Sequence, residues 1–367
     1  MLKYYTLLLL MTINNILPLD KISIAVLDII CYRRFRKLSP KVIFVFGAIF
    51  VVLCMSYIVN LGTSSLRIFY PLLFLIGAYL FSSLNKMSAK SISYFFLPNI
   101  VIGVIGVIYS CITDLEPNAF AVYAWGKSFL FPICATGFSP TPQVYCTFCI
   151  LYMWISIEEE RYDLGFLVSI IGVILSQNRT SYVFVLFVIF LYKKEFLVFF
   201  VLLLIPLIYN FKDYFADVID NKNVDSRSMM RHGFELAYWK SNDISVLFWG
   251  IGNNEISSQY SKFNHEGQSY IENGLDFLLA ISGFNGFVLY VIVFMCFVKK
   301  LIREGEIKIC LIFLYYMIVN QWMTQEFLAS SFFYFILVVL VLRNKMRGVK
   351  CRTLIRFSHG KTQPNIS

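Results

Sequence analysis

Charge is scarce in this sequence. Asp, Glu, Lys and Arg together make up 15% of 367 residues, too few to hydrate the surface of a water-soluble fold of that length. Apolar residues reach 58% and the mean hydropathy is +0.69, against about 45–50% apolar content in soluble domains. A soluble globular fold is excluded. Histidine is nearly missing as well, with three in the chain and no H-x-x-x-H pair, so a zinc site is not expected. Ten-residue alternation of apolar and polar positions is absent, which excludes a transmembrane barrel. No small-residue cleavage site follows the apolar stretch Met1 to Leu17, and that stretch reads as a first span rather than a removed signal peptide. No internal repeat or low-complexity segment interrupts the chain.

What is present is a series of continuous apolar runs, at about 3–17, 19–32, 41–60, 66–84, 92–111, 141–157, 164–177, 180–192, 196–211, 274–298, 307–321 and 326–342. They predict an all-α, polytopic integral membrane protein with about twelve (ten to twelve) transmembrane helices. Several runs are shorter than the roughly 20 residues that a ~30 Å hydrocarbon core requires. Residues 1–342 form a single transmembrane domain with one large loop at 212–272, and 343–367 form a basic tail.

Base exceeds acid by ten charges. Most Lys and Arg lie in Arg33 to Lys37, Lys86 to Lys90, Lys193-Lys194, Lys299 to Lys308 and the tail. That distribution puts both termini in the cytoplasm and the loops at 112–140 and 212–272 on the opposite side. It assigns the excess charge to anionic headgroups rather than to nucleic acid. The nine cysteines sit mostly in apolar runs and act as small hydrophobes. Cys146 and Cys149 form a CxxC without the flanking pattern of a redox motif.

Polar residues concentrate at a few places. Ser176-Gln177-Asn178-Arg179-Thr180-Ser181 breaks two apolar runs, and an arginine there suits the oxygens of a phosphate. Asp225 to Lys240 reads as a short amphipathic helix, capped by Asp225 or Ser226. It carries Arg227, Arg231 and Glu235 on one face and Met230, Phe234 and Tyr238 on another. Gly250-Ile251-Gly252 reads as a tight turn, because no GKS/T follows it. His265 lies in a polar loop and defaults to a solvated side chain. Glu272, Asn273 and Asp276 open the next apolar run. On a helix Glu272 and Asp276 share a face, with Ala280 and Gly283 below them, and a carboxylate at a span mouth suits general-base chemistry.

The order of these features resembles the O-antigen polymerase and ligase superfamily (Wzy-like and WaaL-like proteins). The features are polar-Arg-Thr between spans, Asp225-Ser226-Arg227 in a large loop, Gly-x-Gly, then Glu272-Asn273 with Gly283 and Gly286 following. The resemblance covers roughly 170–300. It implies a metal-independent, cofactor-free glycosyltransferase of the GT-C type in the cell inner membrane, with its site facing the periplasm. The implied substrate is an undecaprenyl-diphosphate-linked oligosaccharide, polymerised into O-antigen or capsular polysaccharide, with a chain-length regulator protein as a partner. Arg179 and Arg227, with Arg231, would hold the diphosphate, and Glu272 would act as base. Asn273, Asp276, Asp225 and His265 would line the substrate. Glu272 stands where that family commonly has His, which favours the polymerase over the ligase that transfers glycan to lipid A-core. A non-enzymatic flippase of lipid-linked sugar is the alternative outside catalysis.

Overall fold

The computed structural model describes residues 2–12, 19–35, 39–61, 66–82, 88–123, 132–198, 234–241, 243–252, 273–324 and 326–359. The described residues are mostly helical (81%). The helices are α1 (Leu2–Thr12), α2 (Leu19–Phe35), α3 (Pro40–Val59), α4 (Tyr70–Ser82, entered through a 3-10 turn at Leu66–Phe69), α5 (Ala89–Ile112), α6 (Pro142–Glu158), α7 (Leu164–Ser176), α8 (Arg179–Tyr192), α9 (Ile244–Trp249), α10 (Gly274–Glu304), α11 (Ile307–Leu314) and α12 (Ser330–His359). A π-turn at Tyr315–Asn320 and a last turn at Gln321–Met323 extend α11.

Three helices, Pro40–Val59, Ala89–Ile112 and Gly274–Glu304, are long and apolar enough to cross a membrane. Four shorter apolar helices span Leu66–Ser82, Leu164–Ser176, Thr180–Tyr192 and Ile307–Met323. A helical membrane protein accounts for this pattern; among the described residues, three helices rather than twelve meet both length and hydropathy.

Helix starts follow local chemistry. Ser39, Ser88, Thr141, Asp163, Asn178 and Asn273 each cap a helix, accepting an amide proton of its first turn. Each such cap stabilises its helix by about 1 kcal/mol. Pro40 and Pro142 occupy first-turn positions, where no N–H is needed.

Two helices form the centre. Every residue of α6 from Val144 to Ile157 is buried, and so is α12 from Ser330 to Arg343. The core between them is aromatic, with Tyr334 edge-on to Phe96 and Phe148 and Tyr316 stacked on Phe335. Peripheral helices turn large apolar side chains outward, including Ile29, Phe44, Ile112 and Leu164. An apolar surface that extensive has lipid as its natural solvent.

Between α5 and α6 the chain forms a two-stranded antiparallel hairpin, β1 (Ala121–Tyr123) and β2 (Ile133–Ala135), with Val122 opposite Cys134. Gln177 Nε2 donates to Ile133 O at 2.7 Å and ties this hairpin to the end of α7.

At the opposite end of the bundle, Arg343 makes a two-pronged ion pair with Glu304, at 2.5 and 2.7 Å. α12 runs on through position 343, so the expected start of the tail is an anchored, buried residue. Arg343→Ala removes the two-pronged partner of the largely buried Glu304 and should cost about 3 kcal/mol. Its melting temperature in detergent should fall, while Arg343→Met, which keeps packing, combined with Glu304→Met should recover most of the loss.

Candidate functional site

The site builds from two helix starts and one connection. α7 ends at Ser176, and Gln177 turns the chain through a left-handed conformation (φ 50°, ψ 28°). Asn178 then caps α8, its Oδ1 accepting from Thr180 N (3.1 Å) and Ser181 N (3.4 Å). The predicted polar break is thus a reversal with no loop to spare, and it puts Arg179 at the first position of α8.

Asn273 does the same for α10, accepting from Leu275 N (2.9 Å) and Asp276 N (3.3 Å). It is buried and extended (φ −88°, ψ 116°). Helical backbone therefore begins after Asn273. The face that Glu272 and Asp276 were expected to share is described only at Asp276, because Glu272 lies outside the described residues. Asp276 stands half-buried in the first turn of α10, where the helix dipole favours a carboxylate.

Both caps spend their oxygen on the helix and leave their Nδ2 buried without a protein partner. Gln321 repeats the arrangement: its Oε1 accepts from Glu326 N at 3.2 Å, and its Nε2 is unpartnered. A Cβ built on Gly274 would lie 2.4 Å from Gln321 Oε1, so the start of α10 rests against this carboxamide.

Glu326 is the centre of the cluster and is 1% exposed. It lies in the connection between Gln321–Met323 and α12. Its Oε1 accepts from Thr147 Oγ1 and Asn320 Nδ2, both at 2.9 Å. Its Oε2 accepts from Tyr316 OH at 3.0 Å and Ser331 Oγ at 2.6 Å. No Lys or Arg among the described residues pairs with it in an ion pair. Cys146, beside Thr147, is fully buried. Hydrogen bonds and packing thus run from the start of α10 through Gln321 and Glu326 to Thr147 on α6.

Below the mouth, the second glycine motif has a structural explanation. α10 is kinked at Gly283, whose φ of 59° and ψ of −171° are not helical. The kink releases backbone carbonyls. Ile251 N donates to Ala280 O at 2.9 Å, and Ser56 Oγ lies 2.7 Å from Ile281 O and 2.5 Å from Trp249 O. Asn60 Nδ2 donates to Gly250 O at 3.2 Å. Gly250-Ile251-Gly252 therefore seats α9 on the kink, backbone against backbone. Just before α9, Phe234 stacks on Tyr238 (5.2 Å between ring centres), and Tyr238 OH donates to Leu247 O at 2.7 Å. Of the apolar face expected for this segment, Phe234 and Tyr238 pack, and Met230 lies outside the described residues. Glu235 pairs with Lys240 at 3.1 Å.

Of the residues singled out from sequence, Asp225, Arg227, Arg231, His265 and Glu272 lie outside the described residues. Of Arg179, only the backbone position is described. Among the described residues no group of His, Cys, Asp and Glu could hold a metal ion. Glu326 escaped the sequence reading. Its signal was present in the polar interruption Asn320-Gln321, Thr324-Gln325-Glu326, hidden at the edge of an apolar run.

No family model matches the chain, and no curated protein matches it.

Proposed function

We propose that this protein is a membrane glycosyltransferase that polymerises undecaprenyl-diphosphate-linked oligosaccharide repeat units on the periplasmic face of the inner membrane. In this reading the chain crosses the bilayer ten to twelve times, with both termini cytoplasmic and the Asn178, Asn273 and Glu326 end outward. The observation that carries it is the donor-rich chemistry of that end. Three buried carboxamides offer unpartnered N–H groups, at the starts of two helices whose dipoles favour anions. Arg179 is the first residue of one of them. Phosphate and sugar oxygens are the acceptors such a surface suits.

The reaction proceeds by attack of an acceptor hydroxyl oxygen on the anomeric carbon of the lipid-linked sugar. The bond from that carbon to the diphosphate oxygen breaks, its electron pair leaves with undecaprenyl diphosphate, and the sugar inverts. Arg179 and Arg227, assisted by Arg231, neutralise the departing charge. Glu272 takes the hydroxyl proton. Asn273 and Asp276 orient the sugar at the start of α10, with Asp225 and His265 contributing from the large loop.

Purified protein given a synthetic lipid-linked repeat unit should produce a ladder of polymers in the presence of a chelator. Arg179→Ala and Arg227→Ala should each slow ladder formation by about 100-fold or more, as loss of a donor to developing charge does. Undiminished ladders from both variants would remove these arginines from the mechanism.

One observation favours a transporter of lipid-linked sugar instead: Glu326, an acid deep among helices, where intramembrane carboxylates commonly serve ion pathways. Proteoliposomes that move labelled lipid-linked sugar between leaflets without extending it would decide for that reading.

A further inference from the structure

α9 is tied to two spanning helices at a depth that can be read from their lengths. Asn60 Nδ2 donates to Gly250 O at 3.2 Å, and Ser56 Oγ lies 2.5 Å from Trp249 O. Ser56 and Asn60 belong to the last turn and cap of α3, which has 20 residues. At 1.5 Å per residue such a helix rises about 30 Å, the thickness of a hydrocarbon core. Large apolar side chains stay exposed along it, at Phe44, Val51 and Ile58, and just past its end at Leu61. The end of α3 therefore marks the hydrocarbon boundary, and α9 is fastened to it. On α10 the same segment meets Ala280 and Gly283. Gly283 is nine residues (283 − 274) into α10, so the start of that helix stands up to about 13 Å farther out.

Phe234 and Tyr238 turn into the protein, but three other large apolar side chains of this segment do not. Trp239 is 54% exposed, Ile244 69% and Phe248 45%. Glu235 and Lys240, which pair with each other, and Asp243 are exposed among them. A segment that shows apolar and charged groups together suits the interface of a bilayer, and tryptophan settles at headgroup level. We propose that Phe234 to Gly250 is an interfacial anchor, with Trp239, Ile244 and Phe248 entering the headgroup–acyl boundary of the leaflet at the candidate-site end. The lipid-facing surface of α3 runs up to this level, so the occupant is the bilayer itself. The anchor fixes the kink of α10 at the boundary, and Asn273 then stands at the outer side of the headgroups. The placement holds whether or not the chain transfers sugar.

The test is tryptophan quenching in the full chain reconstituted into phosphatidylcholine vesicles. The emission lost in Trp239→Phe is the share of Trp239. That share should be quenched by phosphatidylcholine brominated close to the glycerol end of its chains, and it should resist iodide in the water. Ile244→Trp, made in the parent chain, should add emission with the same pattern, so a second reporter remains if Trp239→Phe does not fold. Quenching of either reporter by iodide but not by brominated lipid would put the segment in water and overturn the anchor. Stronger quenching by lipid brominated near the methyl end of its chains would sink it below the boundary, and would overturn it equally.

Discussion

Gly283→Ala is expected to prevent the protein from accumulating as a monodisperse species in detergent. The backbone at 283 has a φ of 59° and a ψ of −171°, a region open essentially to glycine alone and costing other residues about 1–3 kcal/mol. Space is the second obstacle. A Cβ there would lie 2.2 Å from Phe248 O and 2.5 Å from Trp249 N, and both are backbone atoms that cannot rotate away. Overpacking adds about 1–3 kcal/mol more. Gly250→Ala meets the same wall from the other side, 2.2 Å from Ala280 O at a φ of 85°. The two substitutions disrupt one junction, so their effects should not add. Fluorescence-detected size exclusion with a melting curve would measure this. A Gly283→Ala protein that melts like the parent would mean that α9 does not dock on the kink.

Glu326→Ala should be about as damaging, and for a different reason. Removing the carboxylate strands the donors of Tyr316, Asn320 and Ser331 in the interior, while Thr147 Oγ1 falls back on Gln143 O. Each stranded buried donor costs about 1–3 kcal/mol where water cannot reach it, so the total should be at least about 3 kcal/mol. Glu326→Gln separates folding from function. A glutamine oxygen can still accept from two donors, and its NH₂ can face Tyr316 and Ser331, whose hydroxyls can turn round to accept. That variant should fold and melt within a few degrees of the parent. If it also keeps full polymer formation, Glu326 is architecture. If polymer formation or lipid-linked sugar movement is lost in a well-folded Glu326→Gln protein, its proton is used.

Much of the helical framework was legible in the sequence, because a hydrophobic run in a membrane protein has little to do except span. The run at 41–60 is α3, and 164–177 and 180–192 are α7 and α8, with the polar break between them lying where the apolar pattern stops. The ends were less legible. α10 continues to Glu304, past the expected end at 298, because lysines and arginines prolong a helix while reaching for headgroups. The hairpin at 121–135 went unseen, since strands of three residues leave no periodicity to read.

The candidate site was legible only at its polar break and at Asn273. Gly283 has the composition of a small helix-packing residue, and nothing in composition reports a φ. Glu326 was lost because long-range partners, not its own surroundings in sequence, make it tolerable: Thr147 comes from a helix 179 residues away.

The reversal from α7 to α8 bears on motion. With one left-handed residue and one cap between them, these helices cannot slide independently, and Gln177 couples the hairpin to the same pivot. Any tilt of that helix pair must carry the first turn of α8 and the β1–β2 strands along with it.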